Sequence, residues 1–185
     1  HKPDRRQRQM CIRDSTSAKY IDAIKNSGFL PADNVNLSSL RSILSTGSPL
    51  SSDGFAFVYE AIKSDVQLCS ISGGTDIVSC FVLGCPVQPV LAGQIQTRGL
   101  AMKTDVLDES GNSITDRQGE LCCTAPFPSM PVKFWNDPTG SAYKAAYFEH
   151  FPNIWRHGDW ATLTQTGGTI IPVSYTHLTL PTIRL

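Results

Sequence analysis

Three short segments of this 185-residue chain combine side chains and bare backbone suited to holding a phosphorylated ligand. In Gly73-Gly74-Thr75-Asp76, two glycines remove the side chains that would keep a backbone away from phosphate oxygens, so their N–H groups can point at an anion. Thr75 adds a hydroxyl donor, and Asp76 offers the single carboxylate that suits Mg²⁺ shared with substrate phosphates. Taken alone, the tetrapeptide also reads as a plain strand-to-loop turn. Trp155-Arg156-His157-Gly158-Asp159-Trp160 sets an acid after a glycine between strand-like segments, and one carboxylate there can accept hydrogen bonds from both hydroxyls of a ribose. His157 reads as a surface or turn-stabilising residue rather than a general base, because no local motif puts a nucleophile beside it. Thr46-Gly47-Ser48-Pro49, the third segment, is by itself only a turn.

The elements between these segments decide whether they meet. Ala18, Ile21 and Ile24 repeat at helical spacing and predict a helix from Thr16, stopped by Asn26-Ser27-Gly28. A short strand is expected over 41–45 and ends at Thr46-Gly47-Ser48-Pro49. A second helix follows, capped by Ser51, stapled by Leu50 and Phe55, and burying Phe55, Val58 and Ile62 on one face. A buried strand over 66–71 then runs into the glycine pair. Strand, helix, strand with glycine turns at the carboxyl ends is the pattern of a parallel α/β sheet, whose adjacent strand ends line one crevice. Thr46 to Pro49 would thereby face Gly73 and Gly74.

From Pro89 to Pro126 the alternation has period two, with Val106 and Leu107 leading into the turn Glu109-Ser110-Gly111-Asn112, which predicts antiparallel strands. A short helix is expected over 143–148 and a hairpin over 160–171 around Gln165-Thr166-Gly167-Gly168. The fold class is α/β: a parallel α/β portion (15–88) followed by an antiparallel, β-rich, distorted-barrel portion (89–172). The ends read differently. RRQRQMCIRDS and VSYTHLTLPTIRL resemble translated sequencing-adapter read-through, so 1–14 is expected to be a non-native or disordered tail and 173–185 a non-native one.

Composition narrows the function classes. A hydrophobic share of 41% with 17% charged residues fits a soluble globular domain. The formal net charge of zero conceals ten basic against fourteen acidic residues between Ser15 and Pro172, a poor match for a nucleic-acid binder. The six cysteines form no Cys-x-x-Cys pair and read as reduced packing residues; Cys122 and Cys123 alternate along one strand, so at most one is expected in the core. No apolar run reaches the ~20 residues that span a bilayer, and no secretory segment opens the chain, so a cytoplasmic protein without membrane partners is expected.

The order of the three segments adds a resemblance. A Gly-rich turn, a segment ending in Thr and an acid, a Gly-Glu-Leu strand (Gly119-Glu120-Leu121) and a Gly-Asp turn follow one another as in the adenylate-forming AMP-dependent synthetase/ligase superfamily. STGSPL, SISGGTDIVSCF, PFPSMPVKFWNDP and HGDWA are similar to its acetoacetate-activating acyl-CoA synthetases in particular, over nearly all of Ser15 to Ile171. The resemblance implies an ATP-dependent acid-thiol ligase with acetoacetate, ATP and coenzyme A as small-molecule substrates and Mg²⁺ as cofactor. It implies that Gly47, Ser48 and Pro49 line the adenine, that Ser70, Ile71, Ser72, Gly73, Gly74 and Thr75 line the nucleotide and its phosphates, and that Asp159 takes the ribose. Thr75 and Asp76 would be catalytic, Asp76 also the metal ligand, standing where the family more often has Glu. Thr46 would meet the 3-oxo group of the acyl substrate, and Gly73, where acetate-activating members carry Trp, would leave room for a longer acyl group, acetoacetate rather than acetate. Other adenylating enzymes, such as medium-chain acyl-CoA ligases or peptide-synthetase adenylation domains, and a noncatalytic α/β module are the alternatives. The family's upstream Lys-ended phosphate loop and downstream Lys-bearing domain are not recognised in the chain, so it is expected to be an internal fragment that is inactive alone.

Overall fold

The computed structural model describes residues 13–172. β1 (Arg13–Ser17), β2 (Ser42–Thr46) and β3 (Gln67–Ser70) form a wholly parallel sheet in the order β1-β2-β3. The expected tails lie outside the described residues except for Arg13 and Asp14, which open β1. Thr16 belongs to that strand, so helix α1 (Ala18–Ser27) starts slightly later than its periodicity suggests. Ser17 caps it by accepting the Tyr20 N–H at 3.1 Å, and Gly28 ends it in the left-handed conformation. The single turn α2 (Pro31–Asn34) follows.

Between β2 and β3 lies α3 (Ser52–Phe57), continued by a π-helical turn over Val58–Ile62. The Ser51 hydroxyl accepts the Gly54 N–H at 3.1 Å, as its cap position requires. Leu50 and Phe55, either side of the cap, sit in one core cluster with Ile21, Ile43, Val58 and Leu68, which fixes the helix on one face of the parallel sheet.

Antiparallel pairing begins at Ser72, well before residue 88. β4 (Ser72–Gly74), β5 (Ser79–Leu83) and β6 (Thr97–Arg98) make one three-stranded sheet. A second, in the order β10-β9-β8-β7, contains β7 (Thr104–Leu107), β8 (Gln118–Cys123), β9 (Trp155–Leu163) and β10 (Thr169–Ile170). Helix α4 (Ser141–Tyr147) enters between β8 and β9. Asp137 accepts the Tyr143 N–H at 2.9 Å, and this with neighbouring helix amides holds the Asp137 carboxyl below its ordinary range.

β8 is covered on both faces, which corrects the expectation for its cysteine pair. Cys123 packs with Phe81, Leu121 and Trp155, while Cys122 packs with Leu107 and Phe151 on the other side, and both thiols are buried. Period two still holds, but neither face meets solvent. Among the described residues no helix is long and apolar enough to cross a membrane.

Candidate functional site

The carboxyl ends of β2 and β3 lie side by side, because Ser45 pairs with Ser70 and the Ile71 N–H donates to Ser45 O at 2.9 Å. Beside them opens a cavity of about 110 Å³ lined by Thr46, Gly47, Ser48 and Pro49 from one strand end and Ser70, Ile71, Ser72 and Gly73 from the other. Asp159 closes a further side, from 86 residues beyond Gly73. Small-molecule sites run to several hundred Å³, so this cavity alone is smaller than a whole drug-sized ligand needs. Leu50, Gly93, Ile95 and Ile171 complete the lining. Leu50 ends the STGSPL segment, whereas no motif marks the other three; Ile95 arrives through an isolated antiparallel bridge to Thr169.

Asp159 is carried by a bulge inside β9 rather than by a turn between two strands. Glu120 pairs with Trp160 and Cys122 with Arg156, leaving His157-Gly158-Asp159 opposite Leu121 alone. Two residues more than the ladder needs must leave the plane of the sheet there. Gly158 accommodates the bend at φ +95°, and its N–H donates to Glu120 Oε1 at 2.8 Å. Glu120 Oε2 lies 3.0 Å from Arg156 Nε. The buried carboxylate of the Gly-Glu-Leu strand is thus the clamp that shapes the bulge. Asp159 Oδ2 is 3.4 Å from His157 Nε2 and 3.5 Å from Ser72 Oγ, which joins the bulge to β4 across the cavity. The His157 ring meets Phe81 edge-on at 4.9 Å, a packed, turn-supporting placement.

Gly73 and Gly74 belong to β4, where the sequence suggested a loop. A side chain on Gly73 would strike Ser79 O and come within 2.6 Å of Cys80 Cα, so the glycine is required by the close approach of β5. The space a larger residue would fill at Gly73 is therefore taken by backbone, and extra room for an acyl group does not follow from this glycine. A side chain on Gly74 would overlap Asp76 Oδ1. Thr75 and Asp76 form the hairpin tip, pinned by the fully buried Ile77; with Gly74 they lie outside the cavity lining. The Tyr147 hydroxyl donates to Asp76 Oδ2 at 2.6 Å. Burial, and secondarily Asp76 itself, push the Tyr147 phenol well above its ordinary value. Among the described residues no group of three or more His, Cys, Asp and Glu gathers as a metal cage, so any cation at Asp76 would be shared with phosphate oxygens.

No protein-family model matches the chain. Over 156 residues it is 61% identical to the acetoacetyl-coenzyme A synthetase of Rhizobium meliloti (strain 1021), covering 84% of this chain and 24% of that protein. It is 46% identical over 157 residues to the mouse acetoacetyl-CoA synthetase, covering 84% of this chain and 23% of that one. The chain is homologous to one segment of the acetoacetyl-CoA synthetases. It spans about a quarter of the length of the curated relatives it matches. The solved acetoacetyl-CoA synthetase from Streptomyces lividans superposes with a TM-score of 0.80 at 44% identity, over 86% of this chain and 25% of that one. The acetoacetyl-CoA synthetase likeness therefore takes in both the parallel sheet and the antiparallel sheets, and the fold class expected from sequence is the observed one.

Proposed function

We propose that this chain is an internal segment of an ATP-dependent, cytoplasmic acetoacetate-CoA ligase and carries the adenosine end of its active site. In the whole enzyme the acetoacetate carboxylate attacks the α-phosphorus of ATP and pyrophosphate leaves. The coenzyme A thiolate then attacks the acyl carbon of the adenylate and AMP leaves. The reading rests on one observation: residues 46–49, 70–73 and 159, remote in sequence, line a single cavity at the carboxyl ends of parallel strands.

Gly47, Ser48 and Pro49 would flank the adenine, Ser70, Ile71, Ser72 and Gly73 the nucleotide, and Asp159 would accept the ribose hydroxyls. Thr46, exposed at the end of β2 and lining the cavity with Gly73, would meet the acyl group. Gly74, Thr75 and Asp76 would serve the phosphates. Asp76 Oδ1 suits Mg²⁺, which when bound supplies positive charge against the phosphate oxygens. No Lys or Arg lines the cavity among the described residues, and a transferring phosphoryl group needs such cations.

The expected outcome with the purified chain has two parts. ATP should slow amide exchange at Ser70–Gly73 and Gly47–Ser48, and pyrophosphate exchange with acetoacetate should stay at background. Unchanged exchange at these amides would remove the nucleotide reading, and pyrophosphate exchange above background would remove the claim that the segment alone is inactive.

A further inference from the structure

The tip of the β4–β5 hairpin is fastened to a residue 71 positions away, and the fastening acts on its one charged group. The Tyr147 hydroxyl donates to Asp76 Oδ2 at 2.6 Å, a short bond of the neutral-donor-to-carboxylate kind. Tyr147 has little freedom to place that hydroxyl elsewhere. Its ring stacks on Trp155 with centroids 3.6 Å apart and planes 16° apart, and Phe134 meets it edge-on at 5.7 Å. Trp155 is itself fully buried in the core cluster of the antiparallel sheets. The opposite side of the carboxylate is set by Gly74, over which Asp76 Oδ1 folds into the space a side chain would take. Among the described residues Tyr147 is the one hydrogen-bond donor to Asp76, so Oδ1 keeps its lone pairs.

We propose that Tyr147 is a positioning residue for Asp76, fixing one carboxylate oxygen so that the other is held out for a divalent cation carried on nucleotide phosphates. The inference rests on the reading of Asp76 given above. A freely rotating aspartate on a hairpin tip would lose side-chain entropy on meeting the ion; one already held by the phenol and the glycine loses less. Trp155 also begins β9, four residues before Asp159, so the stack that locates the phosphate-side acid stands on the strand that locates the ribose-side acid.

The test titrates the 185-residue chain calorimetrically with ATP plus Mg²⁺, ATP plus EDTA, and AMP. The wild-type chain should bind ATP more tightly with Mg²⁺, and Asp76→Asn should lose that gain. Tyr147→Phe keeps the ring on Trp155 and removes the hydroxyl alone; it should lose about three- to tenfold of the Mg²⁺-dependent gain with AMP affinity unchanged. Retention of the full gain in Tyr147→Phe while Asp76→Asn loses it would overturn the role of Tyr147 and leave Asp76 standing. An equal drop in AMP affinity would reduce Tyr147 to structural support and likewise overturn the proposal. No Mg²⁺ gain in the wild type, or a gain that survives Asp76→Asn, would remove the Asp76 reading and this inference with it.

Discussion

At the scale of single residues, Glu120 decides whether Asp159 can face the cavity. Its carboxylate is buried, accepts the Gly158 N–H and pairs with Arg156. Glu120→Ala would leave that amide without its acceptor and the guanidinium without its partner, a loss of about 2–3 kcal/mol. The expected result is a lower urea midpoint together with weaker AMP binding, read by denaturation and titration of one sample. The sequence did point to Glu120, through a strand motif, yet nothing in it tied that strand to the bulge. Such a tie needs the register of β8 against β9, which is not encoded in either strand alone. Gly73 shows the reverse case. The residue was legible, but its reason was not, because the atoms that demand a glycine belong to Ser79 and Cys80 on the next strand.

At the scale of elements, local signals located most helices and strands: the Ser51 cap, the Leu50–Phe55 staple and the Gly28 stop are where periodicity and capping put them. The hairpin of β4 and β5 escaped notice since two glycines look the same in a phosphate loop and in a tightly paired strand. Its turn carries Val78 at φ +49°, a β-branched residue in left-handed backbone, with 88% of its surface exposed. Val78→Gly should relieve that strain without loss of packing. Net stabilisation of about 0.5–1 kcal/mol is expected after allowing for the freer unfolded chain, measured as a raised denaturation midpoint. A lower midpoint would mean that the side chain contributes contacts the geometry does not reveal.

At the scale of the whole molecule, burial sets the response to alkali. The Cys122 thiol is pushed up to about 12 from an ordinary 9.0, chiefly by desolvation, and Cys69, Cys80, Cys123, Tyr59, Tyr143 and Tyr147 are raised for the same leading reason. A raised native value means the folded chain keeps protons that the unfolded chain has released. The associated stability is complete below pH 9 and drains away as pH climbs toward 12 for Cys122. Urea midpoints should therefore fall between pH 9 and 11, and less steeply in Cys122→Ala. A flat profile in the wild type would contradict the burial on both faces of β8.

The bulge in β9 has an arithmetic of its own. It holds two surplus residues, an even number, so Trp155 before it and Ala161 and Leu163 after it still point into the same core. Removing one residue at 157–159 would turn the far half of the strand inside out, whereas removing two would restore an unbroken ladder. The loop that carries Asp159 is thus an insertion that the scaffold could shed whole, and length variation at this spot should come in pairs.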